Sequence, residues 1–164
     1  MATRRLEGID TIFLAMKTLL HSADGDQILR RISAVRADSQ RRWGRMSAAQ
    51  MICHLSDSFR SALGEKSVSQ DTNLFKRTGM KWLALWVVPA WPHDVRTRPE
   101  MDQQQGGTPP SEFAADVQQL KVLFDRYCAA QQFSPHPMMG PMSRTERMRW
   151  AYLHMNHHLR QFGV

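Results

Sequence analysis

Residues 143–163 read SRTERMRWAYLHMNHHLRQFG. Ser143 and Glu146 have the capping-box spacing, in which the serine side chain takes the N–H three residues on and the glutamate reaches back to the serine N–H. Gly163 supplies the stop, so a helix is predicted over residues 144–161. Side chains at i and i+4 are neighbours on a helix surface, about 5–6 Å apart at Cβ, so His154 and His158 can turn both imidazoles onto one ion. His157 points about 100° away from His158. Such a pair also fits surface histidines or satisfied core histidines. Two ligands do not complete a catalytic centre of the zinc type, which takes three protein ligands and keeps one position open.

The third ligand must come from another element. Ser47-Ala-Ala-Gln50 is a second capping box and opens a helix expected to run to Leu63, before Gly64. Met51, Leu55, Ser58 and Ala62 mark its buried stripe, with His54 beside them. A mid-helix histidine near an apolar stripe needs a partner for its ring nitrogens. His54 is therefore the best candidate, the alternative being a core histidine bonded to a carbonyl.

The remaining chain is also helical in pattern. Ile9, Ile12, Phe13, Met16, Leu19 and Leu20 predict an N-terminal helix over 9–22, and Asp24 or Asp26 can cap a second helix to about Val35. A helix over Asn73–Val88 should end before Pro89. Residues 89–110 hold five prolines and two glycines without a period, and a connection of that length is functional or mobile, a candidate lid. Thr108-Pro-Pro-Ser111 is expected to open a helix with Phe113, Val117, Leu120, Phe124 and Tyr127 on one face, ending near Gln131. No strand period and no internal repeat is present. The expectation is a single all-α domain over 1–164, a four-helix bundle with an extra N-terminal helix and a long Pro/Gly-rich connection.

Composition excludes several classes. The chain has 164 residues, 42% of them hydrophobic, enough to bury a core without disulfides. Its two cysteines, Cys53 and Cys128, have no CxxC spacing, which points to a reducing compartment, the cytoplasm. The net charge of +7 is thinly spread: 9 basic and 5 acidic residues in 1–45, 7 and 5 in 46–100, 6 and 5 in 101–164. Arg41, Arg42 and Arg45 around Trp43 read as a solvated corner, and no groove-reading motif is present, so no nucleic-acid partner is expected. Trp82–Trp91, the most apolar run, is too short for the roughly 20 residues of a membrane span and contains Pro89. The apolar stretch after Arg4 and Arg5 is broken by Asp10 and Lys17, with no small-residue cleavage site.

With MSAAQMICHLSD at 46–57 and YLHMNHHLRQFG at 152–163, the chain resembles the DinB-like superfamily of four-helix-bundle metalloenzymes. More narrowly it resembles a bacterial branch marked by RRWGRMS, a WP…T.PE loop, an HP…GP turn and a terminal HHLRQFG. The match is spread over roughly residues 28–164. The resemblance implies one divalent metal on His54, His154 and His158, the trio that spacing also suggests. Arg147 stands where the branch usually has Trp, and Asn156 where it has Asp. These departures bear on the packing of the last helix and on the groups that orient a ligating imidazole.

Around that trio Gln161, Asp57 and His136 are candidates for a supporting role. Gln161, three residues after His158, can bond within the site or lie on the surface. Asp57, three residues from His54, can be a supporting group, a base or an exposed carboxylate. His136 can anchor its loop or hold a substrate or water. Cys53 reads as a small buried hydrophobe, Trp82, Trp86 and Trp91 as core first and wall of a site second, and Met138, Met139 and Met142 as gap fillers. Three imidazoles suit zinc or nickel, with iron and copper also compatible. Relatives implied by the resemblance use glutathione, mycothiol or bacillithiol, so the expected function is a metal-dependent thiol S-transferase or isomerase acting on a small molecule, with hydrolysis as a related chemistry. The alternative is a non-catalytic metal-binding or stress-related protein. Many such relatives are homodimers, and this sequence leaves the oligomeric state open.

Overall fold

The computed structural model describes residues 16–164 apart from 72, 74, 89, 94 and 96. Four α-helices carry it: α1 Ser22–Ala34, α2 Ala48–Ala62, α3 Phe113–Ala129 and α4 Arg144–Gln161. Among the described residues there is no strand beyond one isolated bridge between His136 and Gly140. The all-α bundle expected from the sequence is what the chain forms. No helix among these residues is long and apolar enough to cross a membrane.

Both capping boxes close as expected. Ser47 Oγ accepts from Gln50 N at 3.2 Å while Gln50 Oε1 accepts from Ser47 N at 2.9 Å. Ser143 and Glu146 do the same at 3.2 and 2.7 Å. α2 is the central helix, buried almost all round, and its extra hydroxyls are absorbed locally: Ser56 and Ser58 donate to the carbonyls of Ile52 and His54. Met51, Ile52 and Leu55 are each 0–1% exposed, a burial that stabilises by about 1.5–3 kcal/mol per side chain. α2 packs along α3, and α1 along α4. Phe59 of α2 meets Phe124 and Tyr127 of α3, and the Tyr127 hydroxyl donates to the Arg147 carbonyl at 2.8 Å, tying α3 to α4.

The helix expected over 9–22 lies outside the described residues as far as residue 15, and residues 16–21 form bends and turns instead of helix. Their donors are taken elsewhere: Thr18 N by Asp24 Oδ2 at 3.0 Å, Leu19 N by the Met148 carbonyl at 3.3 Å. Asp24 is thus inside the first turn of α1 and does not cap it; the helix starts after His21. α3 begins later than the Thr108–Ser111 reading, because Glu112 is the cap, accepting from Ala114 N and Ala115 N. Its buried face is Leu120, Leu123, Phe124 and Tyr127, with Phe113 and Val117 half-buried, and it ends at Ala129.

Between α2 and α3 the chain is helical over much of the expected 73–88, but wound in wider π turns at Lys76–Met80 and Leu83–Val87. An i→i+5 winding no longer stacks residues four apart as an α-helix does. Trp82 is consequently turned out, 61% exposed, and is not core, whereas Trp86 is half-buried against it. A 3₁₀ turn at Pro99–Met101 follows. The stretch from Arg98 to Thr108 is no loose lid. It is bolted to α2 by Asp57, which is fully buried and accepts from Thr108 N at 2.8 Å, Thr108 Oγ1 at 2.6 Å and Gln103 Nε2 at 3.2 Å.

Candidate metal centre

α2 contributes His54 and α4 contributes His154 and His158, all buried or nearly so, with one ligand atom from each lying within 4.8 Å of the others. Nε2 of His154 stands 3.2 Å from Nε2 of His54 and 3.2 Å from Nε2 of His158. With metal–nitrogen bonds of about 2.05 Å, a tetrahedral angle separates two ligand nitrogens by about 3.3 Å and a right angle by about 2.9 Å. The two separations from His154 fall between these values, and all three ligand atoms lie within 4.8 Å of one another.

The protonation pattern follows from the other ring nitrogens. His54 Nδ1 lies 2.9 Å from the Met101 carbonyl oxygen, which can only accept, so Nδ1 carries the proton and Nε2 a lone pair. Gln161 Nε2 donates to the Trp43 carbonyl at 2.8 Å, which turns Gln161 Oε1 toward His158 Nδ1, 3.1 Å away. His158 is thereby held in the same tautomer. Three imidazoles converge with Nε2 lone pairs on at least two, and a single proton on the third cannot satisfy both of its contacts, so the group is one that could hold a cation. The donor set fits a divalent ion with nitrogen preference, zinc and nickel included. Burial pushes His54 below its ordinary pKa and His154 and His158 well below theirs, and for His154 the neighbouring His158 and His54 add to the shift. The trio is therefore neutral at physiological pH, the form that ligates.

This centre opens on a cavity of about 890 Å³. Trp150 floors it, stacked on His154 at 4.6 Å and meeting His136 edge-on at 4.8 Å. Trp43 stacks on His93 at 4.1 Å and 10°, with His157 and Trp91 close by, forming an aromatic rim. An ion held by these three histidines in this mostly apolar cavity would polarise a substrate atom or lower the pKa of a water or thiol.

Of the expected supporting residues, Gln161 reaches a ligand and the other two do not bond to one. Asp57 is spent on Thr108, Gln103, Arg60 and Lys66. His136 Nδ1 accepts from Met138 N and Met139 N, the loop-anchor role, while the residue also lines the cavity. Asn156 accepts from Arg31 Nη1 at 2.8 Å, away from the trio, and Arg147 is buried at the cavity wall. Cys53 is a buried thiol pushed up to about 12 by burial first, with Asp116 adding to it. The sequence reading missed Trp43, Trp150 and the Met101 carbonyl. Trp150 was within reach, since it lies four residues before His154 on the same helix, one turn along the ligand face.

Fold and site together define an all-helical protein with a buried three-histidine group able to hold a metal ion. The chain belongs to the family described as Protein of unknown function (DUF1569), whose model matches residues 15–163. No curated protein and no solved structure is significantly similar to it.

Proposed function

We propose that the chain is a divalent-metal-dependent enzyme of the cytoplasm, using His54, His154 and His158 as ligands to activate a low-molecular-weight thiol for S-transfer or isomerisation. The observation that carries this reading is the convergence of three neutral Nε2 atoms, two in fixed tautomers, on one large cavity. No fourth His, Cys, Asp or Glu joins the group among the described residues, which favours an open position over a closed structural site. A metal held there keeps its full 2+ charge, because all three ligands are neutral, and so favours the thiolate over the thiol. The thiolate sulfur attacks an electrophilic carbon, the new C–S bond forms as the leaving group departs with its electron pair, and the thiol proton passes to solvent. The chain's own part is to exclude water with Trp43, Trp91 and Trp150 and to keep the imidazoles aimed through Met101 and Gln161. The DinB-like resemblance of the sequence supports the thiol assignment, and the free thiols Cys53 and Cys128 accord with a reducing compartment.

Elemental analysis of the wild type beside His54→Ala and His158→Ala tests the centre. About one equivalent of metal in the wild type and little in either variant is expected. Stoichiometric metal persisting in both overturns it. A panel of low-molecular-weight thiols with electrophilic acceptors then tests the chemistry, and a metal-replete chain inactive with all of them favours the non-catalytic alternative.

A further inference from the structure

Arg147 is the largest side chain in the fully buried set, 1% exposed, and it lies at the wall of the cavity. Its guanidinium has a poor set of partners. Nη2 donates to the Ser134 carbonyl, the ring of Phe133 is 5.8 Å from Cζ, and buried Nε has no partner. Among the described residues no carboxylate pairs with it. A buried cation normally has a counter-charge, because removing it from water is expensive and a carbonyl with an aromatic face compensates only in part. Arg147 and Arg98 both act on His136, but Arg98 has carboxylates beside it, Asp71 at 3.7 Å and Glu100, whereas no ion pair is found for Arg147 among the described residues.

The position on α4 gives this charge a geometric relation to the trio. Arg147 and His154 are seven residues apart, close to two full turns, so they share a face at a separation of about 10 Å along the axis. Trp150 lies between them, stacked on His154 and edge-on to His136. Met138 and Met139 add apolar wall on the same side. A single face of one helix thus presents, in order, a cation lacking a counter-ion, an apolar floor and a pair of metal-ligating imidazoles.

We propose that Arg147 is the seat for the carboxylate of the cavity's small-molecule ligand, an elongated molecule whose apolar middle lies over Trp150 and whose other end reaches the three histidines. The anion seat stands on Arg147 alone; the assignment of the far end as the reacting end rests on the metal-centre reading. The guanidinium offers a planar fork that matches a carboxylate, and inside a desolvated pocket such a charge-assisted pair is strong.

Isothermal titration of the full chain with octanoate and with octanamide, the same chain length without the charge, tests the seat. Octanoate should bind at least about tenfold more tightly in the wild type, consistent with a charge-assisted pair. Arg147→Lys should keep most of that preference, and Arg147→Gln, its fold checked by circular dichroism, should reduce it to less than about threefold. Equal affinities in the wild type, no binding of either compound, or a preference that survives Arg147→Gln overturns the proposal. His54→Ala separates the two readings. A preference lost there but kept in Arg147→Gln puts the carboxylate on a metal and overturns the seat, while a preference intact in a wild-type chain that holds no metal upholds the seat and sinks the metal centre alone.

Discussion

His158 and Gln161 are joined across one turn of α4, Nδ1 donating to Oε1 at 3.1 Å, and the same carboxamide is anchored at its other end on the Trp43 carbonyl at 2.8 Å. The amide therefore links the orientation of a candidate metal ligand to the loop before α2. Groups that hold the far nitrogen of a ligating imidazole fix its tautomer and its aim.

Gln161→Leu should weaken metal binding by about 10–100-fold with little change in helix content. Gln161→Glu, which keeps an acceptor facing Nδ1, should lose much less. Competition against a chromophoric chelator measures both, and equal metal affinity in the wild type and Gln161→Leu removes Gln161 from the site.

Asp57→Ala should destabilise the fold by about 3 kcal/mol, since it strands the Thr108 N–H and leaves Lys66 and Arg60 without their shared carboxylate. Metal stoichiometry should survive, because Asp57 makes no bond to a ligand imidazole. Urea unfolding beside elemental analysis separates the two. Loss of metal at unchanged stability would restore Asp57 to the centre.

Acid should weaken the fold through His136. Burial first, then the charges of Arg147 and Arg98, lowers its pKa to about 3 from an ordinary value of 6.5. The unfolded chain therefore binds a proton that the folded chain refuses, so His136 contributes its full stabilisation above pH 6.5 and loses it progressively as pH falls toward 3. The upper bound of that loss is on the order of 5 kcal/mol. Urea midpoints measured from pH 7 to pH 4 should fall in the wild type and fall less steeply in His136→Gln.

Neither cysteine should react with iodoacetamide in the native state at pH 8. Burial is the leading cause that pushes Cys53 up to about 12 and Cys128 up to about 11, leaving almost no thiolate. Mass spectrometry should find both alkylated once the chain is unfolded, and rapid native labelling of Cys53 would contradict its packing in α2.

The ligand trio was legible because its signals are local and periodic. Ser47 with Gln50 and Ser143 with Glu146 mark two helix starts within four residues each, and the i, i+4 spacing of His154 and His158 needs nothing but helix geometry. The misreadings fell where distant groups override local pattern. Residues 16–21 have a helical apolar period as far as sequence can show, yet Asp24 and Met148 take their backbone donors. Trp82 follows an α period that the π winding breaks. Asp57, one turn from His54, invited a role at the metal, but besides Arg60 and Lys66 it is taken up by Gln103 and Thr108, which no helical spacing connects to it. The Met101 carbonyl carries no side-chain signature at all.

The bond between His54 and His154 joins residues 100 positions apart. A ribosome adds roughly 5–20 residues per second, so about 5–20 s pass between the appearance of the first ligand and that of the second. Throughout that interval α2 exposes its imidazole without the companions that make it selective, and contacts of such long sequence separation are among the last to form. An ion held by all three histidines would therefore be taken up only after the last helix is made, and which ion that is would depend on what the cell offers then.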